Sequence, residues 1–201
     1  MDESPNQIKP VHITRSAILV MIMGTYEAFR KECLGAIFGS KPTRSRDYYA
    51  ITHAIPPQLL PKRAYKGIEI HERGRKKIDE LIEKTKGLYP AQLGNYHSHT
   101  EHMGVKPIPE MSDDDIKSTK SFKFPIEVII AVSLRNKKKA YLPWEILEDG
   151  GLRGSLLNLN FHINVFTLLD DKEFPFGKRP EKLRIVAPKA IRVLNKVHVN
   201  K

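Results

Sequence analysis

Two histidines separated by one residue, His97 and His99, are the residues of this chain best suited to chemistry. They follow Leu93 and Gly94 in a segment that has the pattern of a short buried strand. Because side chains alternate along a strand, both imidazoles point to one face while Ser98 points away. A catalytic zinc takes three protein ligands and keeps a fourth position for water. The pair therefore predicts two ligands of a zinc site that still needs a carboxylate.

Three consecutive aspartates, Asp113 to Asp115, offer the third ligand. Ser112 is a good helix N-cap, and Asp115 stands three residues later at the capping-box position, so a helix is predicted to begin here. Asp113 and Asp114 also fit the negative first turn that the helix dipole favours, and they are rivals of Asp115 as ligand.

The segment between the histidines and the aspartates, Thr100 to Met111, contains Gly104 and two prolines and is predicted to be a loop. It carries two further residues of ligand type, His102 and Glu110. Either of them could coordinate the metal, fill its open position and silence the site. The sequence leaves this alternative open.

Glu32 immediately precedes the apolar run Cys33 to Gly39, which is predicted to be a strand that follows a helix. At the start of a buried strand, this carboxylate could be aimed at a neighbouring strand. Taken alone, Glu32 fits a solvated helix end better, so its interpretation as a functional residue depends on the histidine pair.

Together these segments resemble the JAMM (MPN+) family of zinc metallo-isopeptidases. The resemblance covers roughly residues 11 to 145 and rests on Glu32-x-x-Gly35, His97-Ser98-His99 and Ser112-x-x-Asp115. Two positions depart from the family pattern. Fifteen residues, 100 to 114, separate the second histidine from the aspartate, five more than is usual, and Thr100 stands where the family usually has proline. Glu110 occupies the place where a loop without this extension would carry the aspartate.

The resemblance implies a fold, a site and an activity. The fold would be a three-layer α-β-α sandwich around a mixed sheet, as in cytidine deaminases. Zinc would be held by His97, His99 and Asp115, with Glu32 as general base and Ser112 as a hydrogen-bond donor to the oxyanion. The reaction would be cleavage of an isopeptide or peptide bond at the C-terminal tail of ubiquitin or a ubiquitin-like modifier. A catalytically silent scaffold of the same fold and a zinc hydrolase of small amides are the alternatives.

The composition of the chain limits the other functional classes to which the protein could belong. The net charge is +11 and the pI near 9.7, so an acidic partner such as nucleic acid is conceivable. The basic residues are dispersed, however, and lack the interleaved aromatic residues that stack bases, so nucleic-acid binding is not favoured. Cys33 is the single cysteine, which excludes an internal disulfide and favours a reducing cytoplasmic compartment. No apolar run has the length of a membrane span.

The chain is expected to comprise a flexible lead (1–10), a metalloprotease domain (11–146) and a C-terminal extension (147–201) packed on that domain. Helices are predicted over Arg15 to Phe29 and over Arg73 to Lys86. The β-branched run Glu127 to Leu134 is predicted to be a central strand covered on both faces, with Ala140 to Ile146 as its hairpin partner. Further strands are predicted over Tyr48–Ile55, Asn160–Leu169 and Leu183–Val186, and a basic linker over Lys117–Lys123.

Overall fold

A computed structural model describes residues 9–56, 62–63, 68–69, 80, 84, 90–101, 104–136, 138 and 140–199. Among the described residues, three α-helices have defined bounds, α1 (Arg15–Ala28), α2 (Asp113–Phe122) and α3 (Pro188–Val199), and Pro175–Gly177 form a short 3-10 helix. The strands are β1 (Pro10–Ile13), β2 (Leu34–Ser40), β3 (Tyr49–Ile55), β4 (Lys62–Arg63), β5 (Ile68–Glu69), β6 (Ala91–Thr100), β7 (Ile126–Leu134), β8 (Glu145–Ile146), β9 (Leu152–Leu156), β10 (Leu159–Asp170) and β11 (Lys178–Val186).

Seven of these strands close into a mixed barrel. Their order is β1-β3-β2-β6-β7-β10-β11, and β11 pairs with β1 to complete the circle. Closure depends on the length of β10, whose two halves pair along one edge with different strands. Residues Leu159 to Ile163 pair with β9, whereas Val165 to Asp170 pair with β11. The short strands β9 and β8 therefore extend the sheet outside the closed ring.

The predicted three-layer sandwich is wrong. An open sheet has two free edges, whereas here the first strand, β1, pairs in parallel with both β3 and β11 and joins the two ends of the sheet. The sequence pattern concealed this closure because β1 spans four residues and falls at the border of the segment expected to be a flexible lead. Residues 1–8 of that lead lie outside the described ranges.

The neighbouring strands β6 and β7 separate the hydrophobic core from the candidate site. Tyr96 pairs with Val128, and both belong to the main hydrophobic core together with Ile18 and Ile22 of α1. His97 is adjacent to Tyr96 and therefore faces the opposite side of the sheet. All residues from Ile126 to Val132 are buried, so the prediction that this strand is covered on both faces is confirmed.

Most predicted elements are present, but two expectations are wrong and one helix was not predicted. The segment Lys117 to Lys123 is largely helical, as part of α2, and is not a linker. The predicted hairpin partner of β7, Ala140 to Ile146, does not pair with β7, whose partners are β6 and β10, and β8 pairs with β9 instead. Helix α3 has no counterpart among the predicted elements. The helix expected over Arg73 to Lys86 lies almost entirely outside the described residues, although Glu80 and Lys84 are helical. None of the described helices is long and apolar enough to cross a membrane.

Candidate metal centre

Side chains from β6 and from the first turn of α2 converge at one point. His97 Nε2 lies 3.1 Å from His99 Nε2 and 3.1 Å from Asp115 Oδ1. His99 Nε2 lies 3.7 Å from Asp115 Oδ2. These three residues form the one group within the described part of the chain that could hold a metal ion. The structure thus brings together the three ligands that the sequence predicted.

Both imidazoles are held by acceptors at their other ring nitrogen. His97 Nδ1 lies 2.9 Å from Glu127 Oε1, and His99 Nδ1 lies 2.9 Å from the carbonyl oxygen of Ile108. A carbonyl can only accept, so His99 Nδ1 carries the proton of that hydrogen bond and leaves a lone pair on Nε2. The Glu127 carboxylate fixes His97 in the same way. Metal-ligating histidines almost always make such contacts, because these contacts set the tautomer and the ring orientation.

Asp115 is oriented by its own helix cap. The backbone N–H and the hydroxyl of Ser112 donate to Asp115 Oδ2, at 2.8 and 2.7 Å. In return, the backbone N–H of Asp115 donates to Ser112 Oγ at 3.2 Å, which completes the predicted capping box. Oδ2 is thereby held by Ser112, whereas Oδ1 lies against His97 Nε2. The arrangement suits a carboxylate that binds a metal through one oxygen.

The electrostatics favour a cation between these groups. Burial alone lowers the pKa of His97, but hydrogen bonds to Asp115 and Glu127 outweigh burial and raise it to about 10. Burial raises the pKa of Asp115, but hydrogen bonds with His97 and His99 outweigh it and hold the carboxyl pKa far below its ordinary value. Burial also raises the pKa of Glu127. One buried and one half-buried carboxylate beside two imidazoles favour a positive charge at their centre, which a proton or a metal ion can supply.

The donor set fits zinc. Two imidazoles and one carboxylate are ligand types of catalytic zinc sites. Ligands at about 2.0–2.1 Å in a tetrahedral arrangement are about 3.3 Å apart, a value close to the observed N···N and N···O separations of 3.1 Å. Little movement of the side chains is therefore needed to enclose the ion.

Glu32 lies two residues before β2, outside the paired residues of that strand. Leu34, the first residue of β2, pairs with His97 of β6 in an antiparallel arrangement. If this register continued for two more residues, Glu32 would lie opposite His99. Glu32 is half-buried and is not a member of the three-residue ligand group. Its position is compatible with the predicted role of a base, and that role stays a prediction.

The other residues that the sequence offered as ligands lie outside the group of three wherever the structure describes them. Asp113 and Asp114 are exposed in the first turn of α2 and stand outside the ligand group. Glu110 is likewise exposed and outside it. His102 lies outside the described residues, so the predicted alternative of a fourth histidine ligand stays open.

Two groups that position the ligands were not predicted. Glu127 was assigned only to the start of a strand, yet it is buried against His97. A single carboxylate within an apolar, β-branched strand was the available signal, because a buried charge needs a partner. The Ile108 carbonyl had no signal in the sequence, since a backbone group is the same in every residue.

The comparisons with known proteins do not assign this site. No family model and no curated protein matches the chain. Among solved structures, a similar chain is protein DSY2949 from Desulfitobacterium hafniense, known from a solution structure. It is 16% identical, with 88% of this chain and 92% of that chain covered and a TM-score of 0.49. A likeness at this level carries no argument about the site, so its interpretation rests on the geometry described above.

Proposed function

We propose that this protein is a zinc-dependent hydrolase that cleaves an amide bond, of the JAMM isopeptidase type that its motifs resemble. The observation that carries the proposal is the convergence of His97 Nε2, His99 Nε2 and Asp115 Oδ1. Acceptors hold the remaining nitrogen of each ring, and Ser112 holds the second oxygen of the carboxylate. Groups fixed in this way cost little reorganisation when the ion binds.

Zinc in this site would lower the pKa of a bound water and polarise the scissile carbonyl. The chain's own residues supply the remaining steps. Glu32, which precedes the strand that pairs with His97, accepts the proton of the water and delivers it to the leaving amine. Ser112 donates to the developing oxyanion after its hydroxyl turns from Asp115 Oδ2, to which it now donates at 2.7 Å.

The substrate in this proposal is a protein bearing ubiquitin or a ubiquitin-like modifier, bound through the extended C-terminal tail of the modifier. Exposed apolar side chains on the loop that leads to α2, Val105 and Ile108, are available for contact with such a tail. Ile108 also carries the carbonyl that orients His99, so this loop borders the metal centre. A silent scaffold stabilised by zinc is the competing interpretation of the same ligand set.

A panel of ubiquitin-like modifiers, each fused through its C-terminus to a reporter, tests the proposal. The zinc-loaded protein should cleave at least one fusion, lose activity on chelation and regain it with zinc. Glu32→Gln separates an enzyme from a scaffold, because in an enzyme this variant should retain zinc and lose turnover by about 10²–10⁴-fold. Glu110→Gln, which changes an exposed carboxylate of the neighbouring loop, is the matched control and should retain turnover. Failure of the zinc-loaded wild type on every fusion and on short peptide amides would favour the scaffold.

A further inference from the structure

Asn164 is a buried residue of β10 that none of the roles above uses. It is 0% exposed, and its side-chain Nδ2 donates to the carbonyl oxygen of Pro109 at 2.9 Å. Since a carbonyl can only accept, this contact fixes which end of the amide faces the loop. The other end, Oδ1, has no hydrogen-bond partner within the described part of the chain. The contact with Pro109 is therefore what holds this side chain to the loop.

The Pro109 carbonyl is adjacent to the carbonyl that orients a predicted zinc ligand. Ile108, one residue earlier, accepts from His99 Nδ1 at 2.9 Å. Pro109 has no N–H, so its carbonyl is the backbone group through which the loop can be held at this point. Two consecutive carbonyls thus link β10 to β6 across the intervening strand β7. β6 and β10 are about 10 Å apart, since each lies about 4.8 Å from β7.

Strand register places both ends of this link on the same side of the sheet. Asn164 pairs with Ile129, and Ile129 pairs with His97. Residues paired directly across neighbouring strands share a face, so the amide of Asn164 projects toward the face that carries the metal centre. On this face, Asn164 of β10 holds the Pro109 carbonyl, and the adjacent Ile108 carbonyl holds His99 of β6.

Gly151 provides the space that Asn164 occupies. A Cβ at Gly151 would lie 2.4 Å from Asn164 Oδ1, 3.1 Å from His162 Nε2 and 3.3 Å from Asp149 Oδ1. The first of these distances is shorter than any van der Waals contact, so a side chain at Gly151 would push Asn164 from its place.

We propose that Asn164 is a positioning residue of the metal centre. It holds the Pro109 carbonyl, which places the Ile108 carbonyl where His99 Nδ1 can donate to it, and Gly151 makes this arrangement possible. The inference rests on the proposed zinc site for its effect on metal affinity. Its effect on His99 does not depend on the metal.

Substitutions at two positions of β10, Asn164 and Asn160, test the inference. Asn164→Asp keeps the size of the side chain but cannot donate to Pro109, and Asn164→Ala is the second variant if the buried charge prevents folding. Asn160→Asp is the matched control, because Asn160 lies on the same strand and accepts from Ser155 Oγ at 2.7 Å, a contact that a carboxylate retains. Two quantities are measured: zinc affinity by competition with a chelator, and exchange of the His99 Nδ1 proton with water by NMR on metal-free protein.

The Asn164 variants should lose zinc affinity by about tenfold, in the range found for residues that orient metal ligands, and His99 Nδ1–H should exchange faster. Asn160→Asp should change neither quantity. Gly151→Ala should weaken zinc binding in the wild type and have little further effect in Asn164→Ala, where the clash is absent. Unchanged exchange and affinity in both Asn164 variants would overturn the inference. Absence of zinc binding by the wild type would instead contradict the proposed function, and the exchange measurement would still decide the role of Asn164.

Discussion

His97 Nδ1 and Glu127 Oε1 lie 2.9 Å apart across the parallel pair of β6 and β7. Both residues are almost fully buried, with 8% of His97 and 4% of Glu127 exposed. Thr119 of α2 also reaches this carboxylate through a weak contact of 3.5 Å from its hydroxyl to Oε2. The pair therefore links the strand that carries the histidines to the helix that carries Asp115. A buried carboxylate–imidazole pair of this kind fits the outer shell of a metal site.

Glu127→Gln should weaken zinc binding by about 10- to 100-fold, as is typical for loss of a carboxylate behind a ligating histidine. Gln keeps the shape and can still accept from Nδ1, but it no longer carries the charge that makes the imidazole a stronger ligand. Competition with a chromophoric chelator measures the change. Glu145→Gln removes an exposed carboxylate, paired with Arg153 at 2.7 Å, and should leave zinc affinity unaltered. Equal affinities of the Glu127 variant and the wild type would remove Glu127 from the site.

Glu32→Gln should reduce kcat by about 10²–10⁴-fold, the usual contribution of a general acid–base residue. Gln has the length of Glu but cannot take a proton from water. Zinc content, unfolding temperature and substrate binding should stay close to those of the wild type, because Glu32 stands outside the ligand group. Steady-state kinetics at saturating zinc provide the measurement. Loss of zinc from this variant would make Glu32 a ligand instead.

The grouping of His97, His99 and Asp115 could be predicted from the sequence because the placement of each residue depends on local patterns. The strand alternation that pairs His97 with His99 and the capping box that fixes Asp115 both operate within a few residues. The barrel could not be predicted in the same way. Its closure depends on the pairing of β1 with β11, which lie about 170 residues apart in the chain. A four-residue strand beginning at Pro10 has too little periodicity to signal such a partner.

Ser112→Ala should destabilise α2 by about 1 kcal/mol through loss of the cap. Zinc affinity should also fall, since Asp115 Oδ2 would keep only the backbone N–H of residue 112 as a donor. If Ser112 also stabilises the oxyanion, kcat at saturating zinc should fall by about 10²-fold or more. Ser112→Thr keeps the hydroxyl and should preserve all three properties. An unchanged kcat in Ser112→Ala would leave this residue with its capping role alone.

Removal of five residues, 102 to 106, should shorten the extended loop while sparing the Ile108 carbonyl that orients His99. Because long loops beside a site control access, KM and the preference among substrates should change. The zinc content should stay at the wild-type level. A deletion that includes residues 108 and 109 serves as the contrast, since it removes the contacts to His99 and Asn164 and should reduce zinc affinity. Loss of zinc on the first deletion would indicate that His102 is a ligand.

Metal analysis of the purified protein tests the central claim most directly. The wild type should contain one zinc per chain, bound at about 2.0–2.2 Å by His97, His99 and Asp115, as X-ray absorption can determine. The double variant His97→Ala, His99→Ala should contain none. The variant His53→Ala, which removes an exposed histidine of β3, should retain zinc at the wild-type level. Full retention of zinc by the double variant would contradict the account.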